Sequence, residues 1–238
     1  MFFLHKFKIS FFFIFSFDKE PAFAKTHAFL PPQGKVLLII GQDKETIESY
    51  IQSMGQIPGG FMVYTSIQNL GGLDQPLDNG AGINHAQYLL ERYPECVLQV
   101  GLYMVNALED ILRGKYDENI TRLGEWIKRT ERPIYLRIGY EFDYPQNHYK
   151  PEEYKLAFRY IVERLRSLGL KNVAFVWHSY AHIDPSQPIM SWYPGDQYVD
   201  WFALSFSDPY NKGHMQLIAK FAQEHNKPLM IAEASPSG

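Results

Sequence analysis

At 238 residues, with 46% hydrophobic and 21% charged side chains, the chain is long enough to bury a large core, and no Pro/Gly/Ser-rich linker or charge run divides it. A net charge of −3 leaves no basic stripe to neutralise phosphates, so nucleic acid is excluded as an expected partner. The single cysteine, Cys96, excludes an intrachain disulfide, a CxxC redox pair and a cysteine-rich zinc site.

In chain order, the first segment differs from the rest. Lys6 and Lys8 precede the apolar run Ile9 to Phe17, and Asp18 to Pro21 then lead to Ala22-Phe23-Ala24. Basic, apolar, polar and A-x-A in that order predict a secretory signal peptide over residues 1–24. The apolar run is too short for a permanent membrane helix. Residues 25–238 are thus expected as one secreted or periplasmic domain, without stable membrane insertion after cleavage.

Lys35 to Ile40 is a near-continuous apolar run that suits a parallel strand covered on both faces, followed by Gly41-Gln42-Asp43 and a helix from Lys44 to Met54. Gly60 to Tyr64 is a second strand. A Gly-rich loop from Gly71 to Gly80 and a helix around His85 to Arg92 lead to a third strand, Cys96 to Met104. A helical stretch from Val105 to Thr130, broken near Gly114, leads to a fourth strand that opens on Pro133 and is expected to run to Glu141. Pro151-Glu152-Glu153 starts a helix to about Leu168, with proline and acids where a first turn favours them. Val173 to His178, Val199 to Phe206 and Pro228 to Glu233 are the fifth, sixth and seventh strands, with a helix from His214 to His225 before the last.

Strand alternating with helix seven times implies right-handed crossovers and a parallel sheet, closed into a barrel or open and doubly wound. No G-x-G-x-x-G follows the first strand, which weakens a nucleotide-binding version. Two strands, the fourth and the seventh, end in glutamate. In a barrel those ends share one mouth, and paired carboxyls there are what glycoside hydrolysis requires.

Arg137-Ile138-Gly139-Tyr140-Glu141, Asn172 to Trp177, Trp192 to Trp201 and Lys227 to Glu233 resemble, in order, the blocks of glycoside hydrolase family 26, a family typified by β-mannanases. The resemblance implies a (β/α)8 TIM-type barrel with acid/base Glu141 on strand four and nucleophile Glu233 on strand seven. It also implies a groove tryptophan at Trp177. Two positions depart from the family pattern. Tyr140 stands where the family has histidine, and Ser207, with Tyr210 nearby, stands where it has a tyrosine beside the nucleophile.

Arg137 lies four residues before Glu141 on the same strand face and is expected to orient a carboxylate. Gln42, Asp43 and Tyr64 end strands one and two at the mouth. Tyr140, His178, Trp192 and Tyr193 are further candidates for sugar contact. No H-E-x-x-H spacing and no G-x-S-x-G elbow occurs, so no metal, cofactor or serine triad is expected. The expected function is a secreted retaining hydrolase of β-linked polysaccharide, mannan or a related β-glycan; a carbohydrate-binding module on a degenerate barrel is the alternative. The chain stops shortly after strand seven, so a barrel truncated there is expected, with a bare seam between strands one and seven.

Overall fold

The computed structural model describes residues 29–182, 184, 186–206 and 212–234, together with the backbone of residues 8–11. Seven parallel strands pair in chain order: β1 (Leu38–Gly41), β2 (Gly60–Ser66), β3 (Val97–Tyr103), β4 (Ile134–Ile138), β5 (Val173–Ser179), β6 (Trp201–Phe206) and β7 (Leu229–Ala234). A parallel sheet whose spatial order repeats its chain order carries every crossover on one face, and its twist curls it into the (β/α) barrel architecture. The crossovers contain α1 (Lys44–Met54), α2 (Ala86–Arg92), α3 (Leu108–Leu112), α4 (Asp117–Thr130), α5 (Pro151–Ser167) and α6 (Lys212–Glu224). A short antiparallel hairpin, Leu77–Asp78 against Ile83–Asn84, lies between β2 and α2. No described helix is long and apolar enough to cross a membrane.

The period of two along each strand divides the buried residues into two layers. Ile39, Met62, Tyr135, Val176, Trp201 and Met230 fill the inside of the sheet's curve, whereas Leu98, Leu136, Phe175, Trp177 and Phe202 face the helices. Helix ends follow local chemistry. The Asp43 carboxylate caps α1 by accepting from the backbone N–H of Glu45 and Thr46, each at 3.0 Å, and Gly55 at φ +63° ends it.

Two expectations are corrected here. β4 ends at Ile138, short of Glu141: the Gly139 N–H makes a last bond to the Leu102 carbonyl at 3.0 Å, and at φ +55° Gly139 turns the chain out of the sheet. The seam between β1 and β7 is not bare. The backbone of Lys8–Phe11 pairs antiparallel with β1, Lys8 opposite Gly41 and Phe11 opposite Leu38, and lies beside β7. The β1 edge would otherwise present unpaired backbone groups there. The rest of the expected leader lies outside the described residues, as do Ser207 and Tyr210.

Candidate active site

Which side chains reach the inside of the curve is a matter of parity. On β4 the inward positions are Tyr135 and Arg137, on β5 Val176 and His178, and on β6 Ala203 and Ser205. On β7 parity alone would send Glu233 outward, since Met230 and Ala232 point in. A bulge reverses this. Ile231 stands opposite Leu204 and Glu233 opposite Ser205, so Ala232 is the extra residue and Glu233 takes the inward setting of its partner. Gln99, on β3, donates its side-chain amide across the barrel to the Ala232 carbonyl at 3.0 Å.

Once inside, Glu233 is almost wholly buried, and two described side chains donate to one of its oxygens. Arg137 Nη1 donates to Oε1 at 2.5 Å and the Tyr64 hydroxyl donates to the same atom at 2.6 Å. Burial works against the Arg137 charge, but the adjacent Glu233 carboxylate outweighs it and holds the guanidinium above its ordinary pKa. The guanidinium lies between two rings, 5.4 Å from the centroid of Tyr64 and 5.2 Å from that of Tyr140. Burial, then the charge of Glu233, pushes the Tyr64 phenol far above its usual range, so it stays a donor. Tyr64 is itself fixed at both backbone atoms. β1 pairs no further than Gly41 opposite Met62, and beyond it Asn84 Oδ1 accepts the Tyr64 N–H at 2.8 Å while Asn79 Nδ2 donates to its carbonyl at 3.0 Å. Gly101 leaves the room these groups occupy: a Cβ there would lie 2.6 Å from the Tyr64 ring and 3.0 Å from Arg137 Nη2.

Glu141 stands on the loop after β4 in the left-handed region, φ +52°, a setting that costs a non-glycine residue on the order of 1–3 kcal/mol. Its neighbours hold it there. Asn147 Nδ2 donates to the Glu141 carbonyl at 2.8 Å, the Phe142 N–H donates to the His178 carbonyl at 3.2 Å, and the Phe142 ring stacks on Trp177 at 4.6 Å. Asp143 closes the loop onto β5 by accepting from Ser179 Oγ at 2.7 Å, Tyr180 N at 2.5 Å and His182 N at 3.0 Å. Burial raises the Asp143 pKa against the opposing effect of those hydrogen bonds. The Glu141 side chain accepts from Ser205 Oγ at 2.6 Å. Both glutamates line one cleft of about 540 Å³, with Gln42, Tyr64, Asn79, Tyr103 and Tyr140 among its walls.

The sequence candidates therefore separate into two groups. Gln42, Tyr64, Tyr140, Glu141 and Glu233 border the cleft, and Arg137 and His178 lie fully buried beneath it. Asp43 is a helix cap. Trp177, Trp192 and Tyr193 do not wall the cleft. Trp177 is 0% exposed, packs between Phe142 and Phe202, and donates its indole N–H to the Trp192 carbonyl at 3.2 Å. Adjacent residues on one strand face opposite sides, so with His178 inward Trp177 must point to the helices. Tyr193 packs on Phe202 and donates to Asp196 at 2.7 Å, and Trp192 borders a separate hollow of about 320 Å³ with Asp143, His182 and His214. Ser205, Tyr103, Asn79 and Asn84 join the site from outside the sequence candidates: strand parity counted from Trp201 reaches Ser205, whereas nothing local marks the other three. No group of three or more metal-binding side chains occurs among the described residues.

The core placement of Trp177 has a measurable consequence. Trp177→Ala is expected to cost about 3–5 kcal/mol in urea unfolding, the usual range for truncating a buried aromatic side chain. Trp177→Phe should lower stability less and leave the KM for oligosaccharide unchanged. A raised KM with unaltered stability would return Trp177 to the sugar groove.

Residues 130–234 match the model of Glycosyl hydrolase family 26. Over this stretch the chain is similar to glycosyl hydrolase family 26. Two curated relatives extend the likeness beyond it: a β-1,3-xylanase, TXYA, of a Vibrio species is 39% identical over 212 residues, covering 87% of this chain and 46% of the relative. A β-1,3-xylanase of an Alcaligenes species is 38% identical, covering 87% of this chain and 45% of its own. The chain thus spans about half the length of these relatives. Among solved structures, the family 26 β-mannanase BoMan26A of Bacteroides ovatus superposes with a TM-score of 0.57 at 16% identity, covering 73% of this chain and 61% of that one. GH26A of Muricauda does so with a TM-score of 0.59 at 14% identity, covering 78% and 70%. At such identities these two superpositions establish the shared family 26 barrel fold.

Proposed function

We propose that the chain is a retaining glycoside hydrolase of β-linked polysaccharide, with Glu233 as nucleophile and Glu141 as acid/base. The observation that carries this reading is the unequal setting of two carboxylates in one cleft. Glu233 is buried against a cation and a phenol, both of which favour its ionised form, whereas Glu141 meets the neutral hydroxyl of Ser205.

Arg137 and Tyr64 converge on Oε1 of Glu233 and hold the carboxylate for attack on the anomeric carbon. As that C–O bond forms, the glycosidic C–O bond breaks and Glu141 gives its proton to the departing oxygen. Glu141, now a carboxylate, takes a proton from water; the water oxygen bonds to the anomeric carbon and Glu233 leaves as a carboxylate. Two displacements at one carbon return the starting configuration. Tyr140, with its ring 5.1 Å from Tyr64 and 6.4 Å from Tyr103, gives the cleft an aromatic wall suited to a sugar face.

The names of the two curated relatives put β-1,3-xylan ahead of mannan as substrate. The leader pattern of residues 1–24 supports action outside the cytoplasm, and its cleavage would take the Lys8–Phe11 strand away from the β1 edge. The test is a panel of β-1,3-xylan, β-1,4-xylan, β-mannan, mixed-linkage glucan and β-1,3-glucan, followed by reducing-end release over time. Reducing ends are expected first from β-1,3-xylan. Release from mannan alone would move the sugar assignment, and saturable binding without product on any member would make the barrel a binding module.

A further inference from the structure

The two carboxylates are joined beneath the cleft by an unbroken hydrogen-bonded path. Glu141 Oε1 is 2.6 Å from Ser205 Oγ, which is 3.1 Å from His178 Nε2; His178 Nδ1 is 3.2 Å from Arg137 Nη1, which is 2.5 Å from Glu233 Oε1. Arg137, His178 and Ser205 are inward residues of three consecutive strands and all are buried. The direction of the path is set at the arginine. A guanidinium only donates, so the His178 nitrogen facing it is the unprotonated one, and the ring is neutral with its proton on Nε2. That proton points to Ser205 Oγ, and the serine directs its own hydrogen to Glu141. An imidazolium would instead set a second cationic N–H against Arg137 in a buried site.

Building on the assignment of Glu141 as acid/base, we propose that His178 and Ser205 are positioning residues: a relay that orients the Glu141 carboxyl, sets its proton affinity and ties it to the Arg137–Glu233 pair. With Oε1 committed as an acceptor, the transferable proton belongs on Oε2, and the carboxyl group cannot rotate without giving up the serine. A hydroxyl donates more strongly to a carboxylate than to a neutral carboxyl oxygen, so the relay favours ionised Glu141. The coupling has the sign the second displacement needs. When Glu233 becomes a glycosyl ester it loses its charge and accepts more weakly. Arg137 Nη1 then donates more fully to His178, the chain through Ser205 is polarised, and the ionised form of Glu141 is favoured when it must act as a base.

Among the described residues, the titratable and charged groups around Glu141 are Tyr140 and Asp143 on its own loop, Tyr64 on β2, Tyr103 on β3, Arg137 on β4, His178 on β5 and Glu233 on β7, with His182 and His214 beyond Asp143. Removing the Ser205 hydroxyl alters none of these charges, so a change in Glu141 titration after Ser205→Ala reports the relay.

The experiment is a carbon-13 NMR titration of the chain labelled at glutamate Cδ, with the Glu141 resonance assigned by its loss in Glu141→Gln. Ser205→Ala is expected to move the Glu141 midpoint up by about one pH unit, the scale of one hydrogen bond to a charged group. His178→Asn keeps an acceptor near the Nδ1 position for Arg137 but does not reach Ser205, and it should move the midpoint in the same direction by less. His178→Gln places an amide N–H near the Nε2 position and should restore it. The alkaline limb of kcat/KM should follow these shifts while KM stays constant. An unmoved Glu141 midpoint in folded Ser205→Ala overturns the relay, and if that variant does not fold, equal midpoints in His178→Asn and His178→Gln overturn it. Failure of the underlying assignment looks different: the shifts occur, yet the unmodified chain hydrolyses no member of the polysaccharide panel.

Discussion

Glu233→Ala is expected to reduce turnover on every substrate by about 10⁴-fold or more, because no glycosyl enzyme can form without the carboxylate. The same substitution should weaken the fold. Arg137 is 0% exposed and Glu233 supplies the carboxylate that balances its charge, so the alanine leaves a buried cation without its counterion at a cost of about 3–5 kcal/mol. Glu233→Gln separates the two effects. Its amide oxygen still accepts from Tyr64 and Arg137, so it should lose as much turnover while unfolding nearer the unmodified denaturant midpoint. Urea unfolding and hydrolysis assays on both variants check the pair of expectations. Substantial polysaccharide hydrolysis by Glu233→Gln would remove Glu233 from the reaction.

Glu141→Ala should have a selective effect. Natural polysaccharides leave as alkoxides that need a proton, and their hydrolysis is expected to fall by about 10²–10⁴-fold, the range for loss of a general acid. Aryl glycosides with acidic phenols need little protonation, so the first displacement should survive and the glycosyl enzyme should accumulate for want of a base. Azide, which needs no base, should then release it as the β-glycosyl azide, identified by proton NMR. Equal losses on phenol-leaving and sugar-leaving substrates, with no azide product, would assign Glu141 another role. The fold should tolerate this change better than the loss of Glu233, since the described donor it releases is the Ser205 hydroxyl, a neutral group, whereas Glu233 balances the buried Arg137 charge.

Much of the fold could be read from the chain because its strands are apolar runs bounded by strong local signals. The bounds of α1 follow from Asp43 and Gly55, and α4 and α5 from Gly114, Pro151 and Gly169. The cleft residues Gln42, Tyr64, Tyr140, Glu141 and Glu233 were legible from strand ends and resemblance, and the groups beneath them from strand parity. Parity brings Arg137 and His178 together and sends Trp177 to the helices, and counting it along β6 reaches Ser205. Glu233 breaks that rule, because the bulge at Ala232 leaves no mark in Met230-Ile231-Ala232-Glu233. The hydrogen bond between Tyr64 and Glu233 spans 169 positions and depends on the closeness of β2 and β7 across the barrel. The left-handed setting of Glu141 was equally invisible, since Gly139 permits a turn after Ile138 without dictating one; the loop is held by Asn147, Asp143 and the Phe142–Trp177 stack.

The central claim is covalent catalysis by Glu233, and trapping tests it most directly. A 2-deoxy-2-fluoro β-glycosyl fluoride of the sugar selected by the panel slows both displacements by destabilising the oxocarbenium-like transition state, while its good leaving group lets the first one proceed. Intact-mass analysis of the treated chain, followed by peptide mapping, should find a single added glycosyl group on the peptide that carries Glu233, and none in Glu233→Gln. A label on the peptide carrying Glu141, or no covalent species together with an inverted anomer as the first product, would contradict the account.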